Sequence, residues 1–362
     1  MPEQTVLIVG GGIAGLTAAN RLAAMKISSI LIEKQSVIGG YAGGYACKAT
    51  DACVKCGACL VVEASRSVLA DPAVEVIAGS RLTAVERSGR FRLAIRQESS
   101  GKGEDLAREA DAVILACGFK PFDPRFKPYG YGRLANVITN LELERMLRDQ
   151  SIPLRPSDLR TPDRIAFVQC VGSRDRQLGH LWCSKVCCAS ALRLARLIKS
   201  RCPQVEITFF YIDIQTFGKD FQDFFPRIKE DFSLVRTLPG DVFPAENDRL
   251  RVAYFDPGDR QGKEDLFDLM VLSVGITPDA ENLPLARQFQ LAPEPSGFWP
   301  ISSGAGVFCA GTVCGPMSIA ESIASGGQAA LQAAEYIRDG RQVEGMQSEL
   351  KNQSTPGGAE PK

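Results

Sequence analysis

Residues Phe167–Cys188 read FVQCVGSRDRQLGHLWCSKVCC and hold Cys170, Cys183, Cys187 and Cys188 in the spacing C-x12-C-x3-C-C. Four thiols within nineteen residues are enough to hold one iron–sulfur cluster, which takes four thiolates. The apolar run Arg164–Val171 predicts a strand ahead of them. Ala189–Lys199 (ASALRLARLIK) predicts a helix, with Leu192, Leu194 and Leu197 keeping an apolar stripe, and Val205–Ile212 predicts a second strand. The unit is strand–loop–helix–strand, and its first turn carries cysteines where a nucleotide-binding unit carries glycines. It reads as a dinucleotide-type domain that has exchanged its nucleotide for a cluster.

The N-terminus shows the unexchanged version. Thr5–Val9 (TVLIV) predicts a buried strand that runs into Gly10-Gly11-Gly12-Ile13-Ala14-Gly15, a G-x-G-x-x-G loop. A helix is expected over Leu16–Met25 and a strand over Ser29–Ile32, ending at Glu33 and Lys34. Gly10 makes the tight turn, Gly12 lets backbone approach a pyrophosphate, and Gly15 lets helix pack close on strand. The helix N-terminus presents free N–H groups to phosphate, and Glu33 stands where an acidic residue accepts hydrogen bonds from a ribose.

Three further stretches favour FAD over NAD in this site. Ile38-Gly39-Gly40 follows Glu33 closely. Ala110–Gly118 (ADAVILACG) predicts a buried strand ending in glycine, after a hairpin expected across Val74–Gln97 with its turn at Ser88-Gly89. Gly306–Ala330 predicts strand, Ala310-Gly311-Thr312, loop and helix; Thr312 stands where flavoproteins of this type carry an Asp for the ribityl chain. The expected flavin contacts are Gly10, Gly12, Gly15, Glu33, Lys34, Gly40, Gly118, Gly311 and Thr312.

Lys plus Arg and Asp plus Glu each number 42, so the net charge is zero, which argues against nucleic acid or an anionic membrane as partner. No run reaches the roughly 18 apolar residues of a membrane span. The first expected strand starts within about five residues of Met1, so no cleaved signal peptide is expected and the chain reads as cytoplasmic. In that compartment twelve cysteines point to metal or redox chemistry rather than structural disulfides.

A second cysteine group, Cys47, Cys53, Cys56 and Cys59, lies between the first two expected flavin stretches. Cys53-x2-Cys56-x2-Cys59 copies the first three ligands of a ferredoxin run, but the fourth position is Glu63. Three readings stay open: a second cluster with Cys47 as fourth ligand, a redox-active Cys56/Cys59 pair beside the flavin, or reduced structural thiols. Cys117 and Cys309 end buried strands and read as small apolar residues. The single histidine, His180, reads as a loop residue or hydrogen-bond donor to the cysteine site rather than an acid–base group.

The expected fold is α/β, with two dinucleotide-binding-type (Rossmann-like) domains. Residues 1–155 and 290–340 form a discontinuous FAD domain, 156–289 the second domain with the iron–sulfur site, and 341–362 a disordered tail. A helix is expected over Asn140–Arg148, another near Phe221–Asp231, and strands over Leu234–Thr237, Leu250–Tyr254 and Leu269–Val274.

VQCVGSRD at Val168–Asp175, CSKVCC at Cys183–Cys188, FYIDIQTFGKDF at Phe210–Phe221 and GVFCAGTVCGP at Gly306–Pro316 closely resemble the A-type flavoprotein of heterodisulfide reductase. The resemblance covers nearly the whole chain. It implies the thioredoxin reductase/FAD-dependent pyridine nucleotide-disulfide oxidoreductase fold, FAD in the first domain, and a 4Fe–4S cluster on Cys170, Cys183, Cys187 and Cys188. It also implies a homodimer and partner subunits. Archaeal relatives carry an N-terminal extension and ferredoxin-type inserts with further clusters, and neither is expected for this chain. The short form resembles the A-type flavoproteins of two bacterial systems. One is the heterodisulfide-reductase-like complex of sulfur oxidisers, which works with lipoate-binding proteins. The other is the quinone-interacting membrane-bound oxidoreductase of sulfate reducers. The Cys47–Cys59 group favours the first.

Two other functions are weighed on the residues. A stand-alone NAD(P)H-dependent disulfide reductase using Cys56 and Cys59 requires a second glycine-rich loop, where the chain has Val171-Gly172-Ser173-Arg174. A structural zinc site meets an awkward pair in adjacent Cys187-Cys188, because zinc ligands are usually spaced C-x2–4-C.

Overall fold

The computed structural model describes residues 4–98, 103–215, 226 and 230–353. In chain order the first part runs β1 (Thr5–Val9), α1 (Ile13–Ala24), β2 (Ser28–Glu33), α2 (Ala58–Ala70), β3 (Val74–Ala78), β4 (Ser80–Ser88), β5 (Arg90–Gln97), β6 (Glu104–Ala110), β7 (Ala112–Leu115) and β8 (Lys120–Pro121). Then come β9 (Val137–Thr139), α3 (Asn140–Asp149), β10 (Arg164–Val171), α4 (Cys187–Arg201), β11 (Glu206–Phe210), β12 (Ser233–Val235), β13 (Asp241–Pro244), β14 (Leu250–Asp256), β15 (Gln261–Phe267), β16 (Leu269–Val274) and β17 (Ile276–Thr277). The chain closes with α5 (Leu283–Gln288), β18 (Ser302–Gly304), β19 (Val307–Cys309) and α6 (Ile319–Gln353).

Each half is a mostly parallel sheet covered on one face by helices and accompanied by a three-stranded antiparallel meander. The first sheet has the order β18-β19-β7-β1-β2-β3, with meander β4-β5-β6; the second has β12-β11-β10-β16-β9, with meander β13-β14-β15. Strands β1 and β10 are the central ones, covered on both faces, so they are runs of apolar residues rather than alternating ones. One face of β1 packs with α1, α2 and α6 through Val6, Ile8, Leu16, Leu22, Val61 and Ala330; the other carries Leu7 against Phe91 and Ile95 of the meander. The second sheet repeats this, with Ile165 and Phe167 against Leu192, Leu194 and Leu197 of α4, and Val168 against Val252 of the meander.

The two halves are joined by the antiparallel ribbon β8–β17, where the chain leaves the first sheet and later returns to it. This corrects the expected boundaries. β9 pairs with β16 and α3 packs beneath it, so residues from 137 onward already belong to the second half rather than to a first domain ending at 155. After β17 the chain is back on the first half, because Ala286, Phe289 and Leu291 join the Leu7 core. Helix α6 continues to Gln353, through residues expected to be a disordered tail; residues 354–362 lie outside the described residues. Most of the helix expected near Phe221–Asp231 also lies outside them.

Candidate functional site

In an open α/β sheet a ligand binds outside the carboxyl ends of the strands, where the strand order reverses. In the first half that point lies between β1 and β7, and the glycine loop occupies it. A Cβ added at Gly10 would lie 2.3 Å from the Ala116 carbonyl oxygen, and one at Gly15 would lie 2.0 Å from the Gly10 carbonyl oxygen. Both glycines are required by backbone packing. At Gly12 the same test meets no atom within 4 Å, so open space lies in front of α1. Intrahelical bonding starts with Leu16 N–H donating to the Gly12 carbonyl (2.9 Å), which leaves the N–H groups of the first turn for an anion.

Glu33 closes the rim of this loop. Its carboxylate is buried and accepts from Gly11 N–H (2.7 Å) and Gln35 N–H (2.8 Å). The remaining flavin candidates converge on the same edge. Gly40 approaches Gly12, with an added Cβ 3.2 Å from the Gly12 Cα. Gly118, after β7, would bring a Cβ 3.8 Å from Thr312 Oγ1. Gly311 N–H donates to Ser325 Oγ (3.0 Å), a contact from α6 that no sequence motif announces. Lys34 behaves differently: its ammonium pairs with Asp279 at 3.2 Å, tying the end of β2 to the loop after β17. A backbone cradle, a helix N-terminus and a carboxylate for a ribose together fit FAD.

In the second half the reversal lies between β10 and β16, and the cysteines occupy it. Val168 pairs with Leu272 and Val171 with Val274, so two residues of β10, Gln169 and Cys170, stand opposite one of β16, Ser273. This is a β-bulge, a device that re-aims side chains. Cys170 there adopts φ +60°, and Arg174 (+55°) and Lys185 (+64°) follow it into the left-handed region, which non-glycine residues rarely adopt. The loop holds this backbone with specific bonds. The Ser173 and Ser184 hydroxyls share a 2.5 Å hydrogen bond, and Ser184 Oγ accepts from Ile276 N–H (2.8 Å). Trp182 Nε1 donates to the Ile276 carbonyl (2.9 Å), and His180 stacks on Trp182 with its Nδ1 2.9 Å from the Gly172 carbonyl. His180 is therefore a structural clamp of the loop.

Cys187 and Cys188 open α4, and Cys170, Cys187 and Cys188 are buried while Cys183 is half-buried. The four thiols lie within electrostatic reach of one another. Burial pushes the Cys170 thiol up to about 12. Cys187 is raised by donating its proton to Cys188 and by burial, and that donated bond draws Cys188 down to about 7. Among the described residues no three His, Cys, Asp or Glu side chains gather tightly enough for a single metal ion. A four-iron cluster takes one thiolate per iron at its corners, so its ligands stand further apart than those of one ion. An all-thiol set from one loop and one helix start fits such a cluster in its chemistry.

The segment with Cys47, Cys53, Cys56 and Cys59 begins at the glycine loop, where Gly39 N–H donates to the Gly11 carbonyl (2.7 Å). It then crosses to the second half. Ala46 is part of the α4 core, and Lys48 forms a fully buried 2.6 Å ion pair with Glu144 of α3. Glu144 also accepts from Ala46 N–H (3.0 Å) and the Ser190 hydroxyl (3.4 Å). Asp51 pairs with Arg196, and Arg193, one turn before it on α4, is largely buried within electrostatic reach of the Cys53 and Cys56 side chains. Cys59 lies in the first turn of α2, a helix that the cysteine pattern masks in the sequence. Cys47, Cys53 and Cys59 are exposed and Cys56 is half-buried. Helix α4 thus carries Cys187 and Cys188 at its start and turns Arg193 and Arg196 toward the segment that holds Cys53 and Cys56. The start of α6 touches both cysteine segments: a Cβ at Gly57 would lie 3.0 Å from Ile319, and Lys185 pairs with Glu321. Cys309, read as a plain buried residue, has its thiol pushed well up, first by the neighbouring Cys314 thiol and then by burial.

Residues 4–168 match the family described as pyridine nucleotide-disulphide oxidoreductase. The chain is 37% identical over 250 residues to the A-type polypeptide of the "H(2):CoB-CoM heterodisulfide,ferredoxin reductase" of Methanothermobacter thermautotrophicus, covering 64% of this chain and 38% of that protein. It is 29% identical over 435 aligned positions to an A-type iron-sulfur polypeptide of the "CoB--CoM heterodisulfide reductase" of Methanopyrus kandleri, covering 95% of this chain and 66% of that one. The chain therefore spans only part of the length of these relatives. Among solved structures, Lactococcus lactis thioredoxin reductase superposes with a TM-score of 0.61 at 16% identity, covering 93% of this chain and all of that one, which shows the shared fold. With these matches, the glycine cradle and the paired halves, the chain belongs to the heterodisulfide reductase A-type family of flavin-dependent oxidoreductases.

Proposed function

We propose that this chain is the FAD- and 4Fe–4S-containing electron-transfer subunit of a heterodisulfide-reductase-like complex. In this reading it works with the other subunits in sulfur-compound oxidation and reaches a lipoate-binding protein through them, as a cytoplasmic homodimer. The observation that carries the reading is that equivalent corners of two equivalent sheets bear a glycine cradle in one half and cysteines in the other. When bound, FAD supplies two-electron and a cluster one-electron chemistry. The chain's own part is to hold the two groups on adjoining elements and to exclude water from them. No acid–base residue is needed, in keeping with a lone histidine that clamps a loop.

Iron, acid-labile sulfide and flavin are to be measured on protein purified without oxygen. About four irons per FAD support one cluster at Cys170–Cys188; about eight add a second on Cys47, Cys53, Cys56 and Cys59. FAD without iron or sulfide, even after reconstitution, rejects the relay. Cys183→Ser is expected to remove cluster absorbance and leave FAD bound.

A further inference from the structure

The bulge that carries Cys170 also carries buried polar groups with nothing to bind. Gln169 is 1% exposed and Ser273 is 0% exposed, yet both amide heavy atoms of Gln169 and the hydroxyl of Ser273 lack a hydrogen-bond partner among the described residues. An unmet buried polar group is costly, and native interiors leave few of them. The register brings these groups together, since Gln169 and Cys170 jointly oppose Ser273. Strand alternation gives their direction. Ala166, Val168, Met270 and Leu272 face the meander, whereas Ile165, Phe167, Leu269 and Val271 face α4. Gln169 and Ser273 follow the second set and lie on the α4 side. They lie at the carboxyl end of the strands, where a crossover helix begins, and α4 begins with Cys187 and Cys188.

We propose that Gln169 and Ser273 are positioning residues that donate hydrogen bonds to the sulfur atoms of the cluster and set its potential. The inference rests on the cluster reading above. Sulfide and thiolate sulfurs are acceptors, so they are the partners that an amide N–H and a serine O–H lack in the protein alone. A donor beside such a sulfur favours the more negatively charged, reduced cluster and so raises the midpoint potential. Neither side chain is a ligand.

The test is an anaerobic redox titration of the full chain, reconstituted with iron and sulfide and followed by electron paramagnetic resonance. Gln169→Met keeps length and volume while removing the amide; Ser273→Ala removes one hydroxyl. Each variant is expected to keep wild-type iron and FAD content while its cluster midpoint falls by about 59 mV, which is tenfold for a one-electron couple. The flavin potential is expected to stay put. Should Gln169→Met fail to take up a cluster, Ser273→Ala decides alone. A cluster-bearing variant with an unmoved midpoint overturns this inference only. A wild-type chain that takes up no iron overturns it together with the cluster reading.

Discussion

The two loops that follow β1 and β10 occupy the same place in the same topology and are built on opposite plans. The first clears side chains away: Gly10, Gly12 and Gly15 let backbone come close, and its only positive φ falls on a glycine, Gly10 at +108°. The second crowds side chains in, and strains non-glycine residues such as Cys170 and Lys185 to aim them. The comparison separates what the fold supplies from what the residues supply. The fold supplies a crevice at the strand reversal. The residues decide whether its inner wall is N–H groups, suited to phosphate, or thiols, suited to iron.

The largest expected effect tests whether the halves act as one body. Lys48 comes from the first half and Glu144 from the second, and both are almost wholly buried. Removing one partner strands a charge at a cost of about 3–5 kcal/mol, whereas replacing both with apolar residues is often close to neutral. Lys48→Met is therefore expected to lower the melting temperature sharply and to split one calorimetric transition into two. Lys48→Met with Glu144→Leu is expected to restore most of the loss. If the single variant melts like wild type, the pair does not hold the halves together.

A smaller effect tests the backbone plan of the first loop. Gly15→Ala puts a methyl 2.0 Å from the Gly10 carbonyl oxygen. Overpacking of this kind costs about 1–3 kcal/mol. The variant is expected to lose FAD while iron on the second loop persists. Loss of both together would mean that the two corners are not independent.

How much of this was legible depends on whether the chemistry is local. The glycine loop, Glu33, the cysteine spacing and the strands β1, β2, β10 and β16 could be read because each is a short pattern that carries its own reason. The polar stretch before residue 155 could not be apportioned between halves, because β9 is three residues long and gains its meaning only from pairing with β16. Helix α2 was masked by its cysteines, and it starts at Gly57 in the left-handed region with no side-chain cap to announce it. The Lys48–Glu144 pair joins residues 96 apart, and the bulge at Gln169–Cys170 lies inside a run that reads as one continuous strand. Both are products of tertiary register, which periodicity does not carry.

The smallest effect on the fold is the sharpest test of what the first loop is for. Gly12 has φ −75° and ψ 177°, a conformation open to any residue, and an added Cβ meets nothing within 4 Å. Alanine there is neither strained nor crowded, so Gly12→Ala is expected to change stability by no more than about 0.5 kcal/mol. The only thing a methyl can obstruct at that point is a group approaching the N-terminus of α1 from outside. If the space in front of Gly12 belongs to a pyrophosphate, flavin affinity falls at least tenfold in a chain that melts like wild type. Should Gly12→Ala bind FAD as tightly as the parent, the phosphate does not come to this helix. The parallel between the two corners would then hold for topology alone.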